Sequence, residues 1–237
     1  MDNAGYTTLT RQSGLMYEMQ VVANNIANAA TTGYRQEGLV FSEFVQTVEQ
    51  GPSLSMAAAN VRQTSQAQGS LTQTGGTFDL AIEGQGFFLI ETPNGERLTR
   101  AGSFSPNAAG DLVTPDGDRV LDAGGAPVFV PPGVTDLNVS ADGTVSAEGQ
   151  PITQIGLYQP LQGAQMLRED GVMFRSQEGV EPVLDGKMLQ GFLESSNVNP
   201  LSQIARMIEV QRAYEMGQNF MQSEDERIRN ALDTMTR

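Results

Sequence analysis

The chain has 237 residues and a net charge of −14, with 28 acidic side chains against 14 basic ones. Proteins that bind nucleic acids present Lys and Arg to the phosphates, so this charge balance argues against that class of function. Because the sequence contains no Cys and no His, disulfides and thiolate chemistry are excluded, and so are the commonest general base and the commonest metal ligand.

The first predicted element is a helix over residues 3–31, within an N-terminal segment that we take as residues 1–40. Its apolar side chains recur at steps of four, three and four, the pattern of a helix that packs along a partner. These residues are Leu15, Met19, Val22 and Ile26. The pattern stops after Thr32, and Gly33 follows where a C-terminal cap glycine belongs.

Three asparagines, Asn24, Asn25 and Asn28, lie in the second half of this predicted helix. Asn is unfavourable inside helices because its side chain competes for the backbone hydrogen bonds. A sequence that departs from helix propensity often does so for the sake of a contact. We therefore expect these amides to contact neighbouring chains.

The predicted middle of the chain has two parts. Residues 41–75 are rich in Gln, Ser, Ala, Gly and Thr and contain the breaker Gly51-Pro52; we expect an extended connector with a single short strand. Residues 76–185 predict a β-rich central domain, because short alternating apolar runs are separated by turn sequences such as Ala141-Asp142-Gly143.

The last predicted element is a long helix in the C-terminal segment, residues 186–237. Asn199 is a plausible N-cap and Pro200 suits the first helical position, where its missing N–H costs nothing. The following residues form a heptad seam. They are Met207, Val210, Tyr214, Gly217, Met221, Glu224, Ile228, Ala231 and Met235. The predicted fold class is α+β: the two terminal helices form a coiled-coil-like pair, and a mostly antiparallel β domain lies between them in sequence.

The N-terminal seam is shorter than the C-terminal one, so pairing the two helices would leave part of the longer seam uncovered. A large apolar side chain contributes about 1.5–3 kcal/mol when it is fully buried, so several uncovered ones would favour binding to a neighbouring subunit. The alternative is an ordinary intramolecular helical hairpin.

No catalytic, cofactor or metal site is predicted. Gly84-x-Gly86 lacks the third glycine and the following helix of a dinucleotide-binding loop. Asp111, Asp116, Asp118 and Asp122 do not have the spacing of a calcium loop, and Asp beside Gly is ordinary turn chemistry.

Several blocks of the sequence, in the same order along the chain, resemble the flagellar rod and hook family. The first block is the stretch from Val22 to Arg35, which ends in Thr31-Thr32-Gly33-Tyr34-Arg35. The others are Gly69–Gly75, Phe78–Ile82, Gly84–Phe88, Thr99–Phe104, Gly191–Val198 and, on the last helix, Gln211–Glu215. Together they extend over most of the chain.

The resemblance implies a structural role in the bacterial flagellar basal body, without an enzymatic activity, cofactor or small-molecule substrate. The opening residues and the modest length most resemble proximal-rod members; a distal-rod or hook-like subunit is the alternative. A secreted acidic carbohydrate-binding or hydrolase domain with a helical stalk is the alternative from a different class. The implied partners are other copies of the chain, other rod subunits and the flagellar type III export apparatus, with export that needs no cleavable signal peptide.

The resemblance also implies that the terminal helices form the contacts between subunits. The expected interface residues are Leu15, Met19, Val22, Asn24, Asn25, Ile26, Asn28, Met207, Val210, Tyr214, Met221 and Ile228.

Overall fold

The computed structural model describes residues 2–46, 54–134, 136–162, 164–183 and 185–235, without the side chains of residues 2–6, 41–46 and 54–61. Two helices, α1 (Asp2–Ala27) and α2 (Pro200–Met235), enclose the strands in sequence. The strands are β1 (Glu37–Gln46), β2 (Leu54–Thr64), β3 (Leu71–Gln73), β4 (Leu80–Glu83), β5 (Phe87–Thr92), β6 (Gly95–Thr99), β7 (Ser105–Pro106), β8 (Leu112–Val113), β9 (Arg119–Val120), β10 (Leu137–Val139), β11 (Thr144–Ala147), β12 (Gln150–Gln154), β13 (Leu157–Pro160), β14 (Met166–Glu169), β15 (Met173–Ser176), β16 (Val180–Pro182), β17 (Lys187–Gln190) and β18 (Phe192–Glu194).

The predicted α+β class is confirmed. All the strand pairs that the structure describes are antiparallel. Neither described helix is long and apolar enough to cross a membrane.

The chain divides into two compact units. The first, called the helix unit below, comprises Met1–Ala27, Gln36–Ser65 and Val198–Arg237. The second, called the β unit, comprises Asn28–Arg35 and Gln66–Asn197. The β unit thus includes short stretches that the sequence analysis assigned to the two terminal segments.

The prediction of an extended connector over residues 41–75 is wrong. Strands β1 and β2 pair antiparallel from Glu37 opposite Thr64 to Gln46 opposite Leu54, with a register shift after Val40. The first strand, EGLVFSEFVQ, is rich in Val and Phe, which favour strands. The breaker Gly51-Pro52 lies outside the described residues.

The predicted cap role of Gly33 is also wrong, because α1 already ends at Ala27. Gly33 belongs to the β unit, where its N–H donates to the Glu194 carbonyl at 2.7 Å. Its φ is +70°, and a Cβ there would lie 2.3 Å from the backbone nitrogen of Ala101. Both the left-handed backbone and the close approach therefore require glycine.

The start of α2 is as predicted. The Oδ1 atom of Asn199 accepts hydrogen bonds from the backbone N–H groups of Leu201 at 3.1 Å and Ser202 at 3.2 Å. Pro200 is the first helical residue. The cap satisfies donors that have no partner inside the helix, which fixes where the helix begins.

The β unit has a well-packed apolar core. Strands β5 and β6 lie in its largest sheet, whose main path runs β14-β15-β6-β5-β9-β8-β7, with β13 joined to β5 and β16 joined to β13. Strands β17 and β18 return to pair with β4 and β3. Phe88 and Phe104 meet edge to face in the core, with 5.2 Å between ring centroids. The predicted β-rich character of this region is confirmed.

Candidate assembly interface

Within the helix unit, α1 and α2 pack antiparallel. The Nδ2 group of Asn25, near the end of α1, donates to Oε1 of Gln203 near the start of α2, at 3.2 Å. Further along, the Nε2 group of Gln12 donates to the Tyr214 carbonyl at 2.8 Å. Gly217 allows this close approach, because a Cβ there would lie 2.2 Å from Nε2 of Gln12.

The predicted α2 seam faces α1 up to Glu224. Val210 is buried, and Met207, Tyr214, Gly217, Met221 and Glu224 are half-buried. From Asp225 to Met235, all residues are exposed. We call residues 225–235 the α2 overhang, because the seam continues along it without cover from α1.

Helix α1 has two covered faces, and the sequence analysis found one of them. Leu15, Met19 and Ile26 are half-buried and Val22 is buried, as a seam requires. The buried residues of α1 also include Gly14, Glu18, Val21 and Asn25, which lie outside the predicted seam. These residues are covered because α1 packs against the β1–β2 hairpin as well as against α2.

Among the side chains that the structure describes, Arg206 and Glu18 form an ion pair between the two helices. Arg206 on α2 contacts Glu18 on α1, with Nη2 and Oε1 2.6 Å apart, and it also contacts Glu209 at 3.1 Å. The hydrogen bond to Glu18 raises the pKa of Arg206. Arg206 is half exposed in water, so this pair fixes the register of the helices more than it adds stability.

The amide of Asn25 makes hydrogen bonds inside the helix unit. Its side chain is 1% exposed. Besides the bond to Gln203, Nδ2 donates to the Glu37 carbonyl at 2.8 Å, and Oδ1 accepts from the Glu37 N–H at 3.0 Å. The departure from helix propensity therefore has a contact as its reason, but that contact joins α1, β1 and α2 of one chain.

Replacing Asn25 with Leu is expected to lower the free energy of unfolding by about 1–3 kcal/mol, because the Glu37 N–H and C=O lose their buried partner. Urea unfolding followed by circular dichroism at 222 nm measures this, since the signal comes mainly from the helices. The matched control is Gln20→Leu, which replaces an amide at an exposed position of the same helix, where the change should stay within about 0.5 kcal/mol. Equal losses in the two variants would show that the Asn25 network adds nothing.

Of the residues expected at the interface, Asn24 and Ile228 are the two that are exposed. Asn28 lies in the β unit, where its Oδ1 accepts a hydrogen bond from Thr31 Oγ1 at 3.1 Å. The other expected residues are buried or half-buried within the chain. Their role in contacts between subunits remains a prediction.

The helix unit exposes apolar rows, of which the sequence analysis anticipated only the uncovered end of the α2 seam. On α2, Leu201, Ile204 and Ile208 form one row, which we call the start row. Ile228, Leu232 and Met235 form another on the overhang, which we call the end row. On α1, an exposed and uncharged stripe steps by four and three through Leu9, Ser13, Met16, Gln20, Ala23 and Ala27.

The signal for the start row was present in the sequence as spacing by three and four. It was overlooked because it covers a single heptad and lies beside the longer seam. A groove of about 370 Å³ between the helices adds further apolar surface, with Met216 and Phe220 on its α2 side. Helices that expose this much apolar surface are suited to docking against other helices.

A buried ion cluster in the β unit joins four of the sequence blocks that carry the family resemblance. Glu194 receives Arg35 on Oε1 and Arg100 on Oε2, each at 3.0 Å, and all three side chains are at most 4% exposed. The Gly69 N–H donates to Oε1 as well, at 3.0 Å. Four blocks thus meet at one carboxylate: Val22–Arg35, Gly69–Gly75, Thr99–Phe104 and Gly191–Val198.

Backbone carbonyls accept several of the other donors of this cluster, but the buried Nε groups of Arg35 and Arg100 have no hydrogen-bond partner among the described residues. Arg35 donates to the carbonyls of Gln66 at 2.9 Å and Ala67, and Arg100 donates to that of Gly84 at 2.6 Å. Because two guanidinium groups share one carboxylate, its negative charge compensates only one of the two positive charges. Burial outweighs the attraction of Glu194 and lowers the pKa of Arg100 to about 10. Sequence reasoning missed this cluster because its three charged residues lie far apart in the chain.

Of the aspartates considered as calcium ligands, Asp122 stabilises a turn with its side chain. Asp122 Oδ1 accepts from the N–H groups of Gly124 at 2.8 Å and Ala126 at 2.9 Å. Among the described residues, no group of three or more His, Cys, Asp or Glu side chains is arranged to hold a metal ion.

Comparison with known proteins places three family models on this chain. Residues 6–35 match a model described as flagella basal body rod protein, and residues 81–147 match the flagellar hook protein FlgE/F/G D1 domain. Residues 189–234 match the C-terminal segment of the flagellar basal body rod FlgEFG proteins.

Full-length relatives agree with these models. The chain is 39% identical to the flagellar basal-body rod protein FlgF of Caulobacter vibrioides, over 99% of this chain and 98% of that protein. It is 33% identical to the FlgF of Rhizobium meliloti, again over 99% of this chain and 98% of that protein. It is 31% identical to the FlgG of Caulobacter vibrioides, over 94% of this chain and 95% of that protein.

Proposed function

Because this chain belongs to the flagellar basal-body rod and hook family, we propose that it is a structural subunit of the proximal rod. Relatives named FlgF at 33–39% identity over nearly the whole chain support the rod assignment. The structural observation that carries the proposal is the pair of long terminal helices whose outer faces expose uncharged and apolar rows.

The proposed mechanism is assembly, without catalysis. A rod that transmits torque has to resist twisting, and resistance comes from many helix seams that are shared between subunits. The α1–α2 pair is suited to this because its inner seam is already packed, while its outer rows remain available. Each large apolar side chain that is fully buried against a neighbouring subunit stabilises the assembly by about 1.5–3 kcal/mol. The stability of the rod therefore increases with the number of subunits.

Members of this family assemble with other rod and hook subunits, and such subunits are the partners of this chain. We propose in addition that the flagellar type III export apparatus delivers the chain to the basal body. The absence of cysteine suits a route of this kind, since no disulfide would hinder passage of an unfolded chain.

Deletion of the gene is expected to abolish swimming, and isolated basal bodies should then lack the rod beyond its innermost part. Electron microscopy of basal bodies and a swimming assay measure the two effects. The control is the same strain carrying the intact gene on a plasmid, which should recover complete rods with the chain incorporated. Complete rods and normal swimming in the deletion strain would refute the proposed function.

A further inference from the structure

Helix α2 carries two exposed apolar rows that differ in position and direction. The start row (Leu201, Ile204 and Ile208) and the end row (Ile228, Leu232 and Met235) are centred about 40 Å apart along the helix, at 1.5 Å per residue. At 3.6 residues per turn, they point about 150° apart around the helix axis. Their side chains are 46–84% exposed. One helix therefore presents different apolar surfaces at its two ends.

The end row continues an interface that already exists within the chain. The seam through Val210, Tyr214 and Met221 is covered by α1, and the same spacing leads on to Ile228 and Met235 in the overhang. The cover ends after Glu224. A seam of this kind packs against another helix, so the natural occupant of the end row is a helix from another subunit.

We propose that the end row docks on the start row of the C-terminal helix of a neighbouring rod-family subunit. This inference rests on the proposed function and specifies the contact by which subunits join. Each row has the length of one heptad, and two-helix packing takes one such row from each helix. The family model over residues 189–234 describes this segment for FlgE, FlgF and FlgG alike, so neighbouring subunits of the family have the corresponding C-terminal segment.

The geometry of the two rows also determines the kind of assembly. Since the rows are different surfaces at opposite ends of the helix, their contact is head to tail. A head-to-tail contact whose rotation does not close a ring generates an open helical array. Docking of identical end rows would instead give a closed pair of subunits.

The charges beside the end row do not oppose docking. Arg227 pairs with Glu224 at 2.5 Å, and Arg229 pairs with Asp225 at 2.8 Å, both within the helix. Docking therefore does not leave these charges without partners. Six apolar side chains bury much less surface than a stable interface between two proteins does. The contact is thus expected to persist only where other contacts between the same subunits support it.

The test uses a photo-crosslinking amino acid, p-benzoylphenylalanine, at Leu232 or at Ile204 in assembled basal bodies, with crosslinked peptides identified by mass spectrometry. The Leu232 probe should capture the start of the C-terminal helix of a rod-family subunit, and the Ile204 probe should capture the end of such a helix. The matched control is the probe at exposed Glu226, on the opposite side of the overhang, which should give several-fold less of this product.

Capture of α1, of a β domain or of another end row by the Leu232 probe would overturn the proposal, and so would incorporated subunits that give no product. If the bulky probe prevents incorporation, Leu232→Cys or Ile204→Cys replaces it and is labelled after assembly with a maleimide–benzophenone crosslinker, because the chain has no other cysteine and the photoreactive end captures any neighbouring chain. The same products are then expected, and their absence has the same meaning. Failure of the intact chain to enter basal bodies would refute the proposed function itself, so the two results are distinguishable.

Discussion

Replacing Glu194 with Gln is expected to lower the free energy of unfolding of the β unit by about 3–5 kcal/mol, because the two guanidinium groups lose the charge that compensates them. The substitution keeps the size of the side chain, so the loss reports charge and hydrogen bonding more than a cavity. Hydrogen exchange measured by mass spectrometry locates the effect. Peptides covering Leu71–Gln73, Leu80–Glu83 and Phe192–Glu194 should lose protection, because these strands surround the cluster.

The matched control for this variant is Glu91→Gln. Glu91 also pairs with an arginine of the β unit, Arg119, at 2.8 Å, but both side chains are more than 40% exposed. An exposed pair contributes about 0–1 kcal/mol, so this variant should unfold almost like the original chain. Similar losses in the two variants would contradict a special role for the buried cluster.

A double variant separates the charge effect from a general loss of packing. Arg100→Met removes one of the two buried positive charges. If the cost of Glu194→Gln comes from uncompensated charge, the double variant should be markedly more stable than the sum of the two single losses predicts. If the two single losses of unfolding free energy simply add up in the double variant, Glu194 and Arg100 act independently, despite the 3.0 Å contact between them.

Local and periodic features of the fold could be predicted from the sequence. The Asn199-Pro200 pair gives the start of α2, because capping depends on residues within one helical turn. The spacing of Val210, Tyr214 and Met221 gives the face that packs on α1, because helical periodicity alone determines which side chains share a face. Neither inference needs knowledge of distant residues.

Features that depend on distant pairing were predicted wrongly or missed. The β1–β2 hairpin was missed because much of β2, LSMAAANVRQT, has low strand propensity, and its partner strand supplies the hydrogen bonds. The low helix propensity of Asn25 indicated that its side chain makes a contact, but it could not show whether the partner belongs to the same chain. The cluster of Arg35, Arg100 and Glu194 joins residues as much as 159 positions apart (194 − 35), which no local pattern indicates.

Replacing Val210 with Asp is expected to separate α2 from α1 and to prevent incorporation into the rod. Val210 is 2% exposed in the middle of the helix seam. A carboxylate at this position would be a buried charge without a partner, at a cost of about 3–5 kcal/mol. Circular dichroism at 222 nm should show a less stable helical signal, and basal bodies should lack the subunit. Hydrogen exchange in the core strands of the β unit should remain unchanged.

The matched control is Gln218→Asp, which adds the same charge at an exposed position of the same helix. Its free energy of unfolding should change by no more than about 0.5 kcal/mol, and swimming should persist. Since Val210 faces α1 of its own chain, loss of incorporation would mean that the outer rows are presented correctly only when the inner pair is intact. Normal swimming of the Val210→Asp strain would show instead that rods form without a packed α1–α2 pair. In that case, the paired helices could not be the element through which subunits of the rod are joined.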